Sequence, residues 1–167
     1  MRLLFIVLFF AWSCREQASM SVEPVPAALN SYLKSNFPDW QIVDTADYDK
    51  SWWSFYDRHH IPWIVHTDIN DDQLVDHALL LKQHNRLRLV ICMGGAQNTF
   101  THVVVEGFNQ MEKLQYGLVV QPPGQIDVLQ PVEQSLMLLT NGFALMELEQ
   151  PSRIYYWQNG IQTFYMK

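Results

Sequence analysis

The strongest constraint on the fold is a series of short apolar runs separated by turn residues. The clearest pair, residues 154–158 and 161–166, flanks Asn159 and Gly160. Asn-Gly supplies the two positive-φ positions of a type I′ turn, so this segment predicts a β-hairpin. Similar runs rich in β-branched and aromatic residues predict further strands at residues 40–43, 52–56, 63–67, 78–81, 87–93, 101–105, 116–120, 126–129 and 143–149.

A single helix precedes these strands. Leu29, Leu33 and Phe37 recur at helical spacing before Pro38 ends the pattern, which predicts a short amphipathic helix. Many short strands joined by hairpins imply an antiparallel arrangement. We therefore predict an α+β fold that is mainly β, with the N-terminal helix packed on a curved antiparallel meander or sandwich sheet.

The first residues have the composition of an export signal. Arg2 precedes a run of about ten apolar residues, which is too short to cross a bilayer but fits a signal peptide. Residues 11–14 resemble a bacterial lipoprotein cleavage motif, with Ala11 and Trp12 departing from its usual residues. This resemblance implies that Cys14 receives a diacylglyceryl group. An ordinary signal peptidase would cut the same bond and release a secreted protein with a free thiol.

The predicted processing divides the chain into three parts. Residues 1–13 form the signal peptide, residues 14–25 a polar tether anchored through lipid, and residues 26–167 a single β-rich domain. We expect an exported protein held by its lipid in the cell envelope, and Arg15 favours the outer membrane or the periplasmic face. The formal net charge is −6 and no run rich in Lys or Arg occurs, which argues against a nucleic-acid partner.

One loop carries a readable chemical pattern. Asp68, Asn70, Asp72 and Asp76 occupy positions 1, 3, 5 and 9, and the backbone carbonyl of Leu74 is available at position 7. Calcium takes six to eight oxygen ligands, and this alternating spacing lets a curling loop direct several of them inward. The sequence predicts a weak Ca²⁺ site, with a solvated acidic turn as the alternative.

This loop resembles the D-x-N-x-D-G-x-x-D-x-A loops of FG-GAP and VCBS-type repeats, which bind calcium between two strands. Gln73 stands where those loops have glycine, and Leu79 at position 12 departs from an EF-hand. Residues 63–95 and the terminal YYW-x-x-G hairpin also look like a group of uncharacterised bacterial exported lipoproteins. That wider resemblance implies a fold and no particular activity.

Other residues suggest weaker hypotheses. The aromatic residues Trp52, Trp53, Tyr56 and Trp63 could form a surface that stacks on sugar rings, although packing in the core is the commoner role of such residues. His59, His60 and His66 could bind a transition metal or lie in a polar loop. Cys92 lies inside an apolar run, which predicts a buried and inert thiol, with a disulfide to Cys14 as the alternative.

Three function classes follow from these features. The leading hypothesis is a non-enzymatic envelope lipoprotein, a binding or structural module with a calcium site, whose partner is an envelope protein or a glycan. A periplasmic hydrolase with a carboxylate pair drawn from residues such as Asp44, Asp57 or Glu106 is a second class. A protein inhibitor or immunity factor that presents residues 121–125 is a third. The sequence contains none of the common motifs of nucleophile elbows, zinc proteases or nucleotide-binding loops.

Overall fold

The computed structural model describes residues 25–56, 60–109 and 113–166, which form two antiparallel sheets and two helices. The helices are α1 (Ala27–Asn36) and α2 (Trp52–Phe55). The strands are β1 (Gln41–Ile42), β2 (Ile64–Thr67), β3 (Asp76–Gln83), β4 (Arg86–Gly95), β5 (Thr99–Asn109), β6 (Tyr116–Gln121), β7 (Gly124–Gln130), β8 (Gln134–Leu138), β9 (Gly142–Glu147), β10 (Arg153–Trp157) and β11 (Ile161–Met166). The predicted mainly β fold with an N-terminal helix is confirmed.

The first sheet has five strands in the order β1-β3-β4-β5, and β2 also pairs with β3. Strands β3 and β4 are joined by His84 and Asn85, in the turn that the sequence predicts. Six consecutive residues of β3, Asp76 to Leu81, are buried. Successive residues of a strand point to opposite faces of the sheet, so an unbroken run of buried residues means that both faces of β3 are covered. Strand β3 therefore lies in the interior of the molecule.

The second sheet has six strands in the order β6-β9-β10-β11-β7-β8. Only Pro122 and Pro123 separate β6 from β7, although three strands lie between them in the hydrogen-bonded order. The sheet must therefore curl strongly to bring β6 and β7 together. The predicted hairpin of β10 and β11 is present, and Asn159 and Gly160 both have positive φ values.

One large hydrophobic cluster joins the two sheets. It contains residues of the first sheet together with Leu118, Phe143, Leu145 and Tyr155 of the second. Helix α1 lies against β5, where the ring of Phe37 is 4.8 Å from that of His102. A smaller cluster inside the second sheet includes Val128 and Ile154.

One predicted strand is wrong, and one observed strand was not predicted. The segment 52–56 is helix α2 followed by Tyr56, because Trp52 and Tyr56 at i and i+4 stack with ring centroids 5.4 Å apart and both enter the core. Strand β8 was not predicted, since its sequence mixes polar residues with exposed apolar ones.

The predicted signal peptide, Cys14 and all but the last residue of the predicted tether lie outside the described residues. Among the residues that the structure describes, no helix is long and apolar enough to span a membrane.

Candidate functional site

The acidic loop connects β2 to β3 and closes through its own side chains. The two carboxylate oxygens of Asp68 accept hydrogen bonds from the backbone N–H groups of Asp72 (3.2 Å) and Gln73 (2.8 Å). Asp72 accepts the N–H of Leu74 at 2.8 Å, and the amide of Asn70 donates to Asp72 at 3.0 Å. The side chains at loop positions 1, 3 and 5 therefore lie together.

Two residues of this loop adopt left-handed backbone conformations. Asp71 has a φ of 62° and Gln73 a φ of 66°. Gln73 thus takes the conformation for which calcium loops use glycine at the same position, at a cost on the order of 1 kcal/mol for a residue with a side chain. The tight curl of the loop is kept without the glycine.

Asp76 has a different role from the other loop carboxylates. Its side chain is fully buried, and its two oxygens accept the backbone N–H groups of Ile69 at 2.9 Å and Gly94 at 2.8 Å. Burial raises the pKa of this carboxyl, and the backbone hydrogen bonds oppose the rise only in part. Gly94 has no room for a side chain, because a Cβ atom there would lie 2.4 Å from the carbonyl oxygen of Val75. Asp76 therefore fastens the loop to β4.

The predicted calcium ligands fit only in part. Asp68, Asn70 and Asp72 are grouped, with the backbone of Leu74 beside them. Asp76 is turned into the sheet and uses both oxygens there. Within the described ranges, no group of three or more His, Cys, Asp or Glu side chains is placed to hold a metal ion. Calcium would have to be held by the grouped oxygens, backbone carbonyls and water.

A cavity of about 530 Å³ lies beside this loop. His66 and His77 line it, together with Leu74, Phe100 and other residues of α1 and the strand ends. The two histidines are paired across β2 and β3, and their Nδ1 atoms are 2.6 Å apart. The pKa of His77 falls to about 4, first because it is buried and second because His66 is close.

The histidine pair differs from the histidine group that the sequence suggested. His59 lies outside the described residues, and His66 contacts His77. The sequence analysis missed His77, although a signal exists. If residues 68–75 are treated as a closed loop between paired strands, Thr67 faces Asp76 and His66 must then face His77.

The predicted aromatic surface is part of the core. The exposed fractions of Trp52, Tyr56 and Trp63 are 4%, 7% and 7%, and Trp53 is half-buried. A ring must expose a face to stack on a sugar, so the described burial favours core packing over a glycan platform. Gly117 permits this packing, because a Cβ atom there would lie 2.4 Å from the Trp52 ring.

The carboxylates considered for a hydrolase have internal partners. Glu106 on β5 pairs with Arg153 and accepts the Tyr155 hydroxyl, both on β10. Arg153 also binds Glu147 at 3.2 Å, so the three charges connect the two sheets. Burial and the contact with Glu106 raise the pKa of Tyr155.

The other named carboxylates are placed elsewhere. Asp44 caps the short 3₁₀ turn Thr45–Asp47, and both Asp44 and Asp47 bind Lys82. Asp57 lies outside the described residues. Among the described carboxylates named as hydrolase candidates, none faces another across an open cleft.

Two further predictions concern Cys92 and the proline segment. Cys92 is a free and fully buried thiol whose pKa is raised to about 12 by burial, as expected for an inert cysteine. Residues 121–125 do not form a protruding loop, because Gln121 ends β6 and Gly124 begins β7. Comparison with protein families, curated proteins and solved structures found no match to this chain.

Proposed function

We propose that this protein is a non-enzymatic, lipid-anchored module of the bacterial cell envelope whose acidic loop binds calcium weakly and which binds an envelope protein or a glycan. The main support is the grouping of Asp68, Asn70 and Asp72 on one loop between two paired strands. These carboxylates accept hydrogen bonds from neutral backbone N–H groups, which orient their oxygens without adding a countercharge. A hard cation can therefore gain from binding there.

The proposed calcium ion is structural. The loop joins neighbouring strands, and Asp76 fastens its C-terminal end to β4 through Gly94. A cation held by Asp68, Asn70 and Asp72 would fix the other half of the loop, where repulsion between carboxylates opposes the curl. The cavity beside the loop would then keep a constant shape.

A binding role is also supported by exposed apolar side chains at one sheet edge. Met137 on β8 and the adjacent Leu139 are 61% and 77% exposed. In the sheet that the structure describes, β8 is the last strand of the order and pairs with β7, so it borders the sheet. Exposed apolar groups on an edge strand are typical of a surface that another protein covers.

The calcium proposal is tested by thermal unfolding of the purified protein after treatment with a chelator. With Ca²⁺ at about ten times its dissociation constant, in the millimolar range of extracellular modules, we expect the Tm to rise by about 3 °C. Mg²⁺ should give a smaller rise, because it loses its water ligands reluctantly. No shift at several millimolar Ca²⁺ would contradict the proposal.

Two variants separate coordination from simple attraction by charge. Asp68→Ala combined with Asp72→Ala removes two ligands and should abolish the calcium shift. Asp71→Asn is the matched control, since Asp71 lies at loop position 4, is exposed, and Asn tolerates its positive φ. This control should keep the calcium-induced rise in Tm. An equal loss of that rise in both variants would contradict the coordination model.

The envelope role needs two further measurements. Mass spectrometry of the native protein should find a diacylglyceryl group on Cys14, and an unmodified Cys14 excludes the anchor. Affinity capture from envelope extract should recover a partner that is lost when Met137 and Leu139 are both changed to Gln. Phe55→Gln is the control, because Phe55 is 75% exposed and lies on α2 rather than on β8. Equal capture by all three proteins would exclude the β8 edge.

A further inference from the structure

The two cavity histidines point a ring nitrogen at each other. His66 and His77 are directly opposite in the β2–β3 register, and their rings meet nearly edge to face at 83°. The Nδ1 atoms are 2.6 Å apart, so a single proton lies between two nitrogen lone pairs. Two converging imidazole nitrogens on neighbouring strands can supply two of the ligands of a transition-metal site.

We propose that His66 and His77 form a two-imidazole site for a borderline divalent transition metal such as Zn²⁺ or Cu²⁺. The metal takes the place of the shared proton and binds the Nδ1 atom of each ring. The imidazole that carried this proton on Nδ1 changes to the tautomer protonated on Nε2, so the pair keeps its total number of protons. This site is separate from the proposed calcium loop, because imidazole nitrogen suits a softer ion than calcium.

The required movement is small. Tetrahedral Zn²⁺ with Zn–N bonds of about 2.05 Å places two ligand nitrogens about 3.3 Å apart. The Nδ1 atoms must therefore separate by about 0.7 Å from their present contact, which a modest rotation of the two rings supplies. His66 is half-buried and lines the cavity, so part of its ring borders open space.

The surroundings hold the site ready for a metal. His77 is 4% exposed, and its ring packs 5.8 Å from that of Phe100, which fixes its orientation.

The cavity supplies the remaining coordination positions. Its volume of about 530 Å³ leaves space for water or a small ligand beside the two rings. In the part of the chain that the structure describes, no group of three protein ligands is formed. The cavity leaves space for solvent or an added ligand at these positions. Cys92 and His102 continue the same cross-strand row, but His102 Nδ1 bonds the Tyr32 hydroxyl at 2.8 Å.

The test uses the full protein without a histidine tag, freed of metals by chelation. Titration with Zn²⁺ or Cu²⁺ should show one ion bound per chain, and the Tm should rise by about 3 °C at a tenfold excess over the dissociation constant. The electron paramagnetic resonance spectrum of the Cu²⁺ form should show coupling to two imidazole nitrogens. Absence of binding at millimolar metal would overturn the proposal.

Variants identify the ligands. His66→Gln and His77→Gln should each abolish the Zn²⁺ shift, whereas His84→Asn, a change at an exposed turn histidine, should leave it intact. If His77→Gln does not fold, His66→Gln decides the question, and an unchanged shift in that variant refutes the site. Asp68→Ala with Asp72→Ala should keep Zn²⁺ binding, so failure of the calcium proposal and failure of this one are distinguishable.

Discussion

The acidic loop and the Arg153 cluster (Arg153, Glu106 and Glu147) both bring carboxylates together. The two regions differ in the groups that donate hydrogen bonds to these carboxylates. In the loop, Asp68 and Asp72 accept hydrogen bonds from neutral backbone N–H groups. In the cluster, Glu106 and Glu147 share the guanidinium of Arg153. Backbone N–H groups orient a carboxylate and leave its charge in place, whereas an arginine cancels the charge. The loop can thus attract a cation, and the cluster attaches one sheet to the other.

The largest effect should follow from removing the arginine of the cluster. Arg153→Met leaves Glu106 and Glu147 facing each other without a cation, and Arg153 is 9% exposed as a side chain. Because the two carboxylates keep about a third of their exposure, we expect a loss of about 3 kcal/mol in the free energy of unfolding, measured in urea. Arg88→Met, which removes the contact of this guanidinium with the Trp40 ring, should cost about 1 kcal/mol or less. Equal losses would show that the cluster does not join the sheets.

A smaller effect should follow from neutralising the buried loop carboxylate. Asp76→Asn keeps one acceptor oxygen but turns an NH₂ group toward a backbone N–H, either that of Ile69 or that of Gly94. We expect a loss of about 2 kcal/mol in unfolding free energy. Asp71→Asn makes the same chemical change at an exposed site of the loop and should be neutral. If the two variants unfold alike, Asp76 does not fasten the loop.

The smallest effect should come from the exposed loop carboxylates in the absence of calcium. Asp68→Ala with Asp72→Ala removes several hydrogen bonds but also removes like-charge repulsion, so the net change should stay within about 1 kcal/mol. Chemical unfolding in a chelator measures it. A loss above about 2 kcal/mol would mean that Asp68 and Asp72 stabilise the loop as Asp76 does. The carboxylates of the loop would then resemble those of the Arg153 cluster in being needed for stability.

Much of the fold could be predicted because its signals are local. The Asn159–Gly160 turn, the His84–Asn85 turn and the helix that ends before Pro38 each depend on a few neighbouring residues. The strand prediction for residues 52–56 failed because aromatic residues favour strands in general. Here the i, i+4 spacing of Trp52 and Tyr56 favours a helix, since it lets both rings pack into the core. Tertiary packing therefore outweighed the strand propensity of these aromatic residues.

The candidate sites were less predictable for a related reason. The grouping of Asp68, Asn70 and Asp72 follows from their spacing, but the role of Asp76 depends on Gly94, 18 residues away. The His66–His77 pair follows only after the strand register is known. The contact of Glu106 with Arg153 spans 47 residues and has no local signal.

The short proline connection between β6 and β7 has a consequence for the order of folding. The bent segment from β6 to β7 pairs with the segment from β8 to β9, and this long hairpin is local in sequence. Closure of the curl is different, because it requires β11 to pair with β7 through Tyr165 and Met166. A chain emerging from a ribosome can form the hairpin early. Pairing of β11 with β7, which closes the curl of the sheet, cannot occur before residue 166 has been synthesised.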